Sequence, residues 1–390
     1  MEYRYHGTDI DGPTLNPEEL YVRNRNLNDL IGNLTFTGAI YHLLTGKEPT
    51  PFQEQLLDRY LASALSSLKE DDAVIEVIKT VVASGATYSQ AIIAGLMVDK
   101  TKSFEQTIAE FDLEAIGLDR SSPIGLYYVG LIPSLMVIAL ESTQGIKEIF
   151  FAVKKNDAKT VKLTGGKDYI EAVFTLCTNR NFSNSTERKI FNDIMVSLHA
   201  GWGFLAPSVM LPRVATSTRV PIHQAIAAGF TGAGPSHVGA CEKAMEFFTA
   251  IHKHCSGDIE AVAIEMLSER LAKKEKIHGF GHPMFKIDSR NPRLRSIISE
   301  IDLRSDFIQI YDLTAQFLKE KLGIYPNIDS ISAAVFLSLG MRPPYGTGLF
   351  LCSRTSAMVA HILEQKDKPP FGATSKEIRK WFGPFAVGVK

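Results

Sequence analysis

Apolar residues recur at steps of three and four positions along most of this chain, and this spacing is the feature that most limits its fold. Residues three or four positions apart lie on one face of an α-helix, so each series predicts an amphipathic helix. Segments rich in Gly and Pro, GKEPTP after Thr45 and MRPPYGTG from Met341, separate the series. The spacing therefore predicts a mainly α protein. Two clear series are Leu56, Leu57, Tyr60, Leu61, Ala64 and Leu65, and Ile259, Val262, Ala263, Met266, Leu267 and Leu271.

Alternation of apolar and polar residues, which predicts β-strands, is scarce in this sequence. Residues 3–5 form one short candidate strand. Residues 148–163, EIFFAVKKNDAKTVKL, form a candidate hairpin that turns at Asn156 and Asp157. We therefore expect little β-structure.

The composition is that of a packed soluble protein. Of 390 residues, 45% are hydrophobic and 22% are charged, and this length favours one large domain or two unequal domains. The 42 basic and 43 acidic side chains give a net charge of −1, so the chain as a whole does not attract nucleic acid or anionic lipid. We expect no nucleic-acid partner.

The 4 cysteines, Cys177, Cys241, Cys255 and Cys352, lie far apart, and no C-x-x-C pair is present. A disulfide framework or a zinc ribbon is therefore not expected, and reduced thiols suit a cytoplasmic protein. The first residues, MEYRYHGTDIDG, lack the basic start and apolar stretch of a secretory signal. We expect a cytoplasmic location.

One uncharged segment, residues 121–140 (SSPIGLYYVGLIPSLMVIAL), has the length of a membrane span. Pro123, Gly125, Gly130 and Pro133 interrupt it, however, and no comparable segment accompanies it. We expect a buried core segment or a subunit contact, and no membrane association.

An internal echo relates two stretches of the chain. FTGAIYHLLTGKEPTPFQE, from Phe36, resembles YIEAVFTLCTNRNFSNSTE, from Tyr169, and QAIIAG at residues 90–95 resembles QAIAAG at residues 224–229. Two helical hairpins with similar packing needs and an old duplication both account for this echo. Only the second copy continues into a polar cluster, GAGPSHVGA, so we expect the chemistry in the second half.

Familiar cofactor and metal templates do not fit the Gly- and His-rich segment HGFGHPMFK. Gly279 and Gly281 begin a G-x-G pattern, but Met284 stands where a dinucleotide-binding loop has its third glycine. His278 and His282 have the spacing of a helical metal pair, yet the two glycines between them oppose a helix. We expect no bound metal.

Four polar side chains next to Gly- or Pro-rich turns remain as candidates for chemistry. They are His199 in SLHAGWG, His237 in GAGPSHVGACE, His282 in HGFGHPMFK and Asp329 in YPNIDSIS. Turns at helix ends supply free backbone N–H groups and hold an imidazole at the mouth of a cavity.

At these residues the chain resembles the citrate synthase superfamily. GPSHVGACE is similar to its G-P-x-H-G-G-A-x-E segment, and GFGHPMFK to its G-[FY]-G-H-x-x-[FYL]-[KR] segment. PNIDSIS is similar to the N-V-D segment, and SLHAGWGFLAPS to the H-A-D-H-x-x-x-A-S segment. The four segments follow the family's order, and FTGAIYHLLTGKEPT resembles its first helices, so the resemblance covers most of the chain.

The resemblance implies a Claisen-type addition of an acyl-CoA to a 2-oxo acid. Asp329 matches the base that removes a proton beside the thioester carbonyl. His237 matches the histidine that stabilises the enol or enolate. His282 matches the histidine that polarises and protonates the keto group, and His199 matches a substrate-binding histidine.

The resemblance also implies residues that bind anions. Arginine forks pair bidentately with carboxylates, and Arg293 and Arg354 match the family's substrate-binding arginines, with Arg290 as a competitor of Arg293. For Arg290 alone, a solvated charge is the favoured interpretation. The implied CoA-binding residues are Lys286, Gly279, Phe280 and Gly281.

The architecture implied by the resemblance is a two-domain helical fold and a homodimer. Residues 1–236 and 346–390 would form a large domain, and residues 237–345 a smaller mobile domain. Acetyl-CoA or another acyl-CoA would be a co-substrate, with no tightly bound cofactor.

Departures from the family pattern leave the reaction's direction open. Gly201 replaces a usual aspartate, Pro283 follows His282, and the DKPPFG tail lacks the R-P pair that synthases contribute from the partner subunit. The tail resembles that of citryl-CoA lyases. A synthase, a lyase that runs the retro-Claisen cleavage, and a non-catalytic protein that binds CoA or a carboxylate are the three hypotheses. Intact His237, His282 and Asp329 oppose the third.

Overall fold

The computed structural model describes residue 5 and residues 7–69, 72–99, 111–119, 122–143, 168–255 and 257–368. Within these residues the chain is mainly α-helical, as the spacing predicts. The strands are β1 (Asp11–Leu15), β2 (Glu18–Val22) and β3 (Arg25–Asn26). The helices are α1 (Leu27–Leu30), α2 (Phe36–Thr45), α3 (Pro51–Leu65), α4 (Ala73–Ala83), α5 (Tyr88–Val98), α6 (Leu113–Ile116), α7 (Ser122–Thr143), α8 (Tyr169–Thr178), α9 (Ser185–Leu198), α10 (Pro207–Ser217), α11 (Ile222–Thr231), α12 (Ala240–His254), α13 (Ile259–Ala272), α14 (Arg290–Glu300), α15 (Asp306–Leu322), α16 (Ile328–Ser338) and α17 (Pro344–Lys366).

The β-structure differs from the sequence prediction. The three strands form one antiparallel sheet near the N-terminus, with Asp11 opposite Val22 and Tyr21 opposite Asn26. Alternation is weak in these short strands, so the pattern did not reveal them. The predicted hairpin at residues 148–163 lies outside the described residues, as does most of the predicted strand at residues 3–5.

Helix α7 contains most of the uncharged segment and forms the centre of the core. By length and composition it is apolar enough to cross a membrane, but 94% of its most apolar window is buried inside the protein. It packs against α3, α4, α5 and α17. At Gly130 a Cβ would lie 2.6 Å from the Leu61 carbonyl oxygen, so this glycine permits the close approach of α3. The segment is buried, as predicted, although Pro133 does not interrupt the helix.

The internal echo corresponds to two similar helical hairpins. Helices α2 and α8 each have ten residues, and each ends at a residue in the left-handed conformation, Gly46 in one and Asn179 in the other. The hairpins touch through stacked rings of Phe36 and Tyr169, whose centroids lie 6.1 Å apart. Similar packing needs and duplication both remain compatible with this pairing.

Helices α12, α13, α15 and α16 pack on one another in the second half of the chain. Helix α17 runs beside α7, α10 and α12 and so connects this group to the central core. The domain boundaries at residues 237 and 345 stay a prediction. None of the four cysteines, all of which the structure describes, forms a disulfide.

Candidate active site

Loops and helix ends from the second half of the chain enclose a cavity of about 240 Å³. Its lining includes most of the sequence-predicted site residues, namely His237, His282, Asp329, Arg354, Gly279, Phe280 and Gly281. The structure therefore brings both candidate histidines of the mechanism and the candidate base around one space.

The loop that ends at His282 is joined to the segment that begins α16 by backbone hydrogen bonds. The amide of Asn327 donates to the Gly279 carbonyl at 2.9 Å, and the amide of Gly281 donates to the Tyr325 carbonyl at 2.8 Å. The side chain of Asn327 donates to the Gly281 carbonyl at 2.7 Å. These contacts hold the loop that ends at His282 against the start of α16, whose second residue is Asp329.

Glycine is required in this loop for two separate reasons. Gly279 and Gly281 have φ values of +85° and +80°, in the left-handed region that favours glycine. A Cβ on Gly279 would also lie 2.9 Å from the backbone nitrogen of Ser330. Without glycine at this position the loop cannot approach α16 so closely.

Two backbone amides determine the tautomer of His282. The amides of Met284 and Phe285 both donate to Nδ1, at 3.2 and 3.0 Å. Nδ1 is therefore an acceptor, and the neutral ring carries its proton on Nε2. Burial lowers the pKa of His282, which favours this neutral form. The residue can donate a hydrogen bond from Nε2.

Asp329 has the surroundings of a proton acceptor. Its Oδ1 atom is buried and has no hydrogen-bond partner among the described residues. Burial raises the pKa of Asp329 to about 7, while the guanidinium groups of Arg290 and Arg354 act in the opposite direction. The carboxyl group is thus divided between its two protonation states near neutral pH.

His237 lies in the turn between α11 and α12. Its Nε2 atom is hydrogen-bonded to Oγ of Ser208 at 2.9 Å, which fixes the ring and leaves Nδ1 for a ligand. Burial, with the charge of Arg354, lowers the pKa of His237 to about 4, so the ring is neutral at neutral pH. A neutral imidazole can donate one hydrogen bond to an oxygen atom that gains charge.

Two buried guanidinium groups give the cavity its positive charge. Arg290 and Arg354 are only 3% and 2% exposed. Nε and Nη2 of Arg290 donate to the carboxylate of Asp288 at 2.9 and 2.8 Å, while its buried Nη1 has no partner among the described residues. Burial and the nearby Arg290 lower the pKa of Arg354. The pair suits an anion, since a bound carboxylate would satisfy both groups.

The structure places Arg290, and not Arg293, at the cavity. Arg293 donates from Nε and Nη2 to the Ile31 carbonyl at 3.2 and 3.0 Å, one helical turn further along α14. Arg290 is buried, so its interpretation as a solvated charge is wrong. The sequence does carry a signal for Arg290, because Asp288 stands two positions before it and pairs with it.

Two other sequence candidates lie outside the lining. His199 is fully buried at the end of α9, and burial lowers its pKa to about 4. It lies next to Leu198, whose carbonyl accepts a hydrogen bond from Arg354 at 3.3 Å. Lys286 is exposed, and its backbone amide donates to Glu18 at 2.8 Å.

Three residues that sequence reasoning missed contribute to the site. Trp202 and Lys276 line the cavity, and Ser208 orients His237. Trp202 and Ser208 lie in the SLHAGWGFLAPS segment, which the motif comparison had singled out only for His199. Among the described residues, no cluster of three or more His, Cys, Asp or Glu side chains has the arrangement of a metal site.

Comparisons with known proteins identify the family of this chain. The family model described as citrate synthase, C-terminal domain, matches residues 4–375. The citrate synthase of Heyndrickxia coagulans is 25% identical over 369 residues, which cover 90% of this chain and 87% of that protein. The 2-methylcitrate synthase 2 of Corynebacterium glutamicum is 26% identical over 362 residues, or 89% and 85% of the two chains.

A solved structure has the same fold. It is the ternary complex of carboxymethyl coenzyme A and oxaloacetate with citrate synthase from Thermoplasma acidophilum. Its TM-score is 0.69 at 20% sequence identity, over 94% of this chain and 91% of that one. With the family match and these two relatives, the protein is a mainly α-helical enzyme of the acyltransferase class. The family match covers most of its length, and the chain belongs to the citrate synthase family.

The positions of the two arginines generate a test of anion binding. We expect Arg290→Lys to weaken the binding of oxaloacetate by about 10²-fold, because a buried charge-assisted contact is worth ~3 kcal/mol. Isothermal titration calorimetry measures the affinity. Arg293→Lys is the matched control and should leave it unchanged. Equal losses in the two variants would contradict the assignment of Arg290.

Proposed function

We propose that the protein condenses an acyl-CoA, acetyl-CoA in the first instance, with a 2-oxo acid such as oxaloacetate. The observation that carries this proposal is the convergence of Asp329, His237 and His282 on one cavity. The relatives named citrate synthase and 2-methylcitrate synthase support the same class of reaction. The buried Arg290 and Arg354 support an anionic acceptor.

In the first step Asp329 acts as the base. It takes a proton from the carbon beside the thioester carbonyl, and the electron pair of that C–H bond moves towards the carbonyl oxygen. A pKa near 7 suits this role, because it combines proton affinity with a substantial ionised fraction at neutral pH. The unpartnered Oδ1 offers a lone pair for the proton.

His237 stabilises the charge that then develops on the thioester oxygen. A neutral imidazole held by Ser208 donates one hydrogen bond and needs no reorientation during the step. The low pKa of His237 supports this role, because the ring is neutral before Asp329 takes the proton and can donate to the oxygen that then gains charge.

In the second step the nucleophilic carbon adds to the keto carbon of the acceptor. A new carbon–carbon bond forms, and the keto oxygen takes the proton on Nε2 of His282. The two backbone amides at Nδ1 support this direction of transfer, because they keep the proton on Nε2 beforehand. Arg290 and Arg354 would hold the acceptor's carboxylate groups during the addition.

Hydrolysis of the condensed thioester by water would then release CoA and a tricarboxylate. A citryl-CoA lyase would use the same residues in the opposite direction, on a preformed thioester. Release of thiol from acetyl-CoA and oxaloacetate supports the synthase. Cleavage of citryl-CoA without that release would replace it with the lyase, and tight binding without turnover would replace it with a non-catalytic protein.

Substitution of the base is the direct test of the mechanism. We expect Asp329→Asn to lower kcat by about 10²–10⁴-fold, the usual contribution of general base catalysis. In the unmodified enzyme kcat/KM should fall as the pH drops below about 7, because protonation removes the base. A thiol-release assay over a range of pH measures both effects.

The control for this test is Asp312→Asn, which removes a carboxylate paired with Arg295 on the surface. It should preserve both kcat and the pH profile. Turnover by Asp329→Asn at the rate of the unmodified enzyme would refute the assignment of the base.

Kinetics can also decide which lysine, Lys276 or Lys286, binds the acyl-CoA. Lys276 lines the cavity beside the Gly279–Gly281 loop, whereas Lys286 lies outside it. We expect Lys276→Ala to raise the KM for the acyl-CoA by about fivefold, a ~1 kcal/mol loss typical of an exposed ion pair, with less effect at high salt. Lys286→Ala is the matched control. A larger effect at Lys286 would reverse this choice and favour the lysine implied by the resemblance.

We also propose that the protein is a homodimer. Met97 on α5 and Met210 and Val214 on α10 are 50%, 41% and 43% exposed, and α11 packs between these two helices. Exposed apolar side chains on these helices suit contact with a second copy. Sedimentation should give twice the mass of the chain, and Val214→Asp should give the mass of one chain. A single-chain mass for the unmodified protein would refute the dimer.

A further inference from the structure

A buried carboxyl group from the N-terminal strand reaches the segment that carries Trp202. Asp11 on β1 is fully buried and accepts hydrogen bonds from the backbone amides of Gly201 and Gly203, the latter at 2.7 Å. These two amides lie on either side of Trp202. The first strand therefore holds a wall of the cavity that the second half of the chain otherwise encloses.

The backbone at this segment has a conformation that needs support. Trp202 has φ +63° and ψ +25°, and Gly203 has φ +59°, so two successive residues are left-handed. For a residue other than glycine this conformation costs about 1–2 kcal/mol. Neighbouring backbone N–H groups in such a turn can bind an anion together, and here the amides of Gly201 and Gly203 bind the carboxylate of Asp11.

The rest of the buried network keeps Asp11 in place and ionised. Nη1 of Arg213 donates to Nδ1 of His361 at 2.8 Å, so Nε2 of His361 carries a proton and donates to Asp11 at 3.0 Å. Burial acts to raise the pKa of Asp11, but His361 and the amides of Gly201 and Gly203 outweigh burial and lower it.

Trp202 contacts the residues that would act on the acceptor. Its ring lies 4.9 Å from the rings of His282 and Phe285, and the guanidinium carbon of Arg290 lies 5.4 Å from its centroid. The centroids of His282 and Phe285 are 5.1 Å apart, so the three rings contact one another in a triangular cluster. A displaced indole would free both His282 and Arg290.

We propose that Asp11 is a positioning residue, whose carboxylate holds Trp202 in its left-handed conformation and thereby fixes His282 and Arg290 for the acceptor. This role rests on the proposed function, because it assigns His282 and Arg290 to the acceptor. The acyl-CoA side depends on the Gly279–Gly281 loop, which Asp11 does not contact. Loss of Asp11 should therefore affect the two substrates unequally.

A double-mutant cycle tests the route through Trp202. We expect Asp11→Asn to lower kcat/KM for the 2-oxo acid by about 10- to 100-fold, the loss typical of small misplacement of reacting groups. The KM for the acyl-CoA should stay the same. In the Trp202→Phe background the same substitution should have little further effect. Asp58→Asn is the matched control, because it changes a half-buried carboxyl group that also accepts a backbone amide.

Fluorescence supplies a readout that does not depend on turnover. The chain has 2 tryptophans, Trp202 and Trp381. The fluorescence of each protein minus that of its Trp202→Phe counterpart therefore gives the signal of Trp202. Asp11→Asn should increase acrylamide quenching of that difference signal, and Asp58→Asn should not. If the enzyme turned over no 2-oxo acid, the proposed function would fail while this measurement still decided the role of Asp11.

Two results would overturn the proposal. The first is that Asp11→Asn and Trp202→Phe reduce kcat/KM for the 2-oxo acid additively. The second is that Asp11→Asn raises KM equally for both substrates. Where Asp11→Asn fails to fold, His361→Phe replaces it in the same cycle, because that change removes the donor to Asp11 and leaves the loop itself intact. An unchanged kcat/KM for the 2-oxo acid in that variant would also refute the role.

Discussion

The hydrogen bonds between the loop 279–282 and the segment 325–327 are the interaction on which the candidate site depends. They join two parts of the chain that local helix formation cannot bring together, and they do so through backbone groups that almost any sequence supplies. Only a few side chains are specifically required for these contacts. Gly279 and Gly281 permit the left-handed turns and the close approach to α16, and Asn327 links the two segments while it caps that helix. Because Asp329 follows this cap and His282 ends this loop, one set of contacts joins the segments that carry the proposed base and the proposed acid.

Burial shifts the pKa values of the site residues in opposite directions, because the charged form of Asp is the deprotonated one and the charged form of His is the protonated one. Burial raises the pKa of Asp329 and lowers those of His237 and His282, so each group is driven towards its neutral form. Of these three residues, only Asp329 is close to two guanidinium groups, and their positive charge lowers its pKa and so limits the rise caused by burial. Arg290 and Arg354 thus have two roles that reinforce each other, since the charge that would bind the acceptor also keeps the base partly ionised before the acceptor arrives.

The helices were predictable because each depends on local spacing, and the site motifs because they occupy Gly- and Pro-rich turns. The resemblance did not separate Arg290 from Arg293, because the two residues lie three positions apart on α14, one at the cavity and the other beside Ile31. The D-x-R pair of Asp288 and Arg290 was the better guide, since it reflects a bidentate contact. The N-terminal sheet and the burial of Asp11 were not predictable, because strands this short have no periodicity and their partners lie far away in sequence.

The buried network around Asp11 connects the N-terminal strands of this helical enzyme to the candidate active site. The carboxylate of Asp11 accepts three hydrogen bonds, two from backbone amides and one from His361. These bonds can stabilise the left-handed backbone at Trp202, which contacts on the cavity side alone would not hold. The cavity side has to stay open for substrates, so it cannot supply such contacts itself. Support from outside the cavity solves this conflict, because it fixes Trp202 without occupying the space that an acceptor would need. The indole contacts the ring of His282, so the hydrogen bonds of Asp11 on β1 add a packing constraint to the two amides that hold Nδ1.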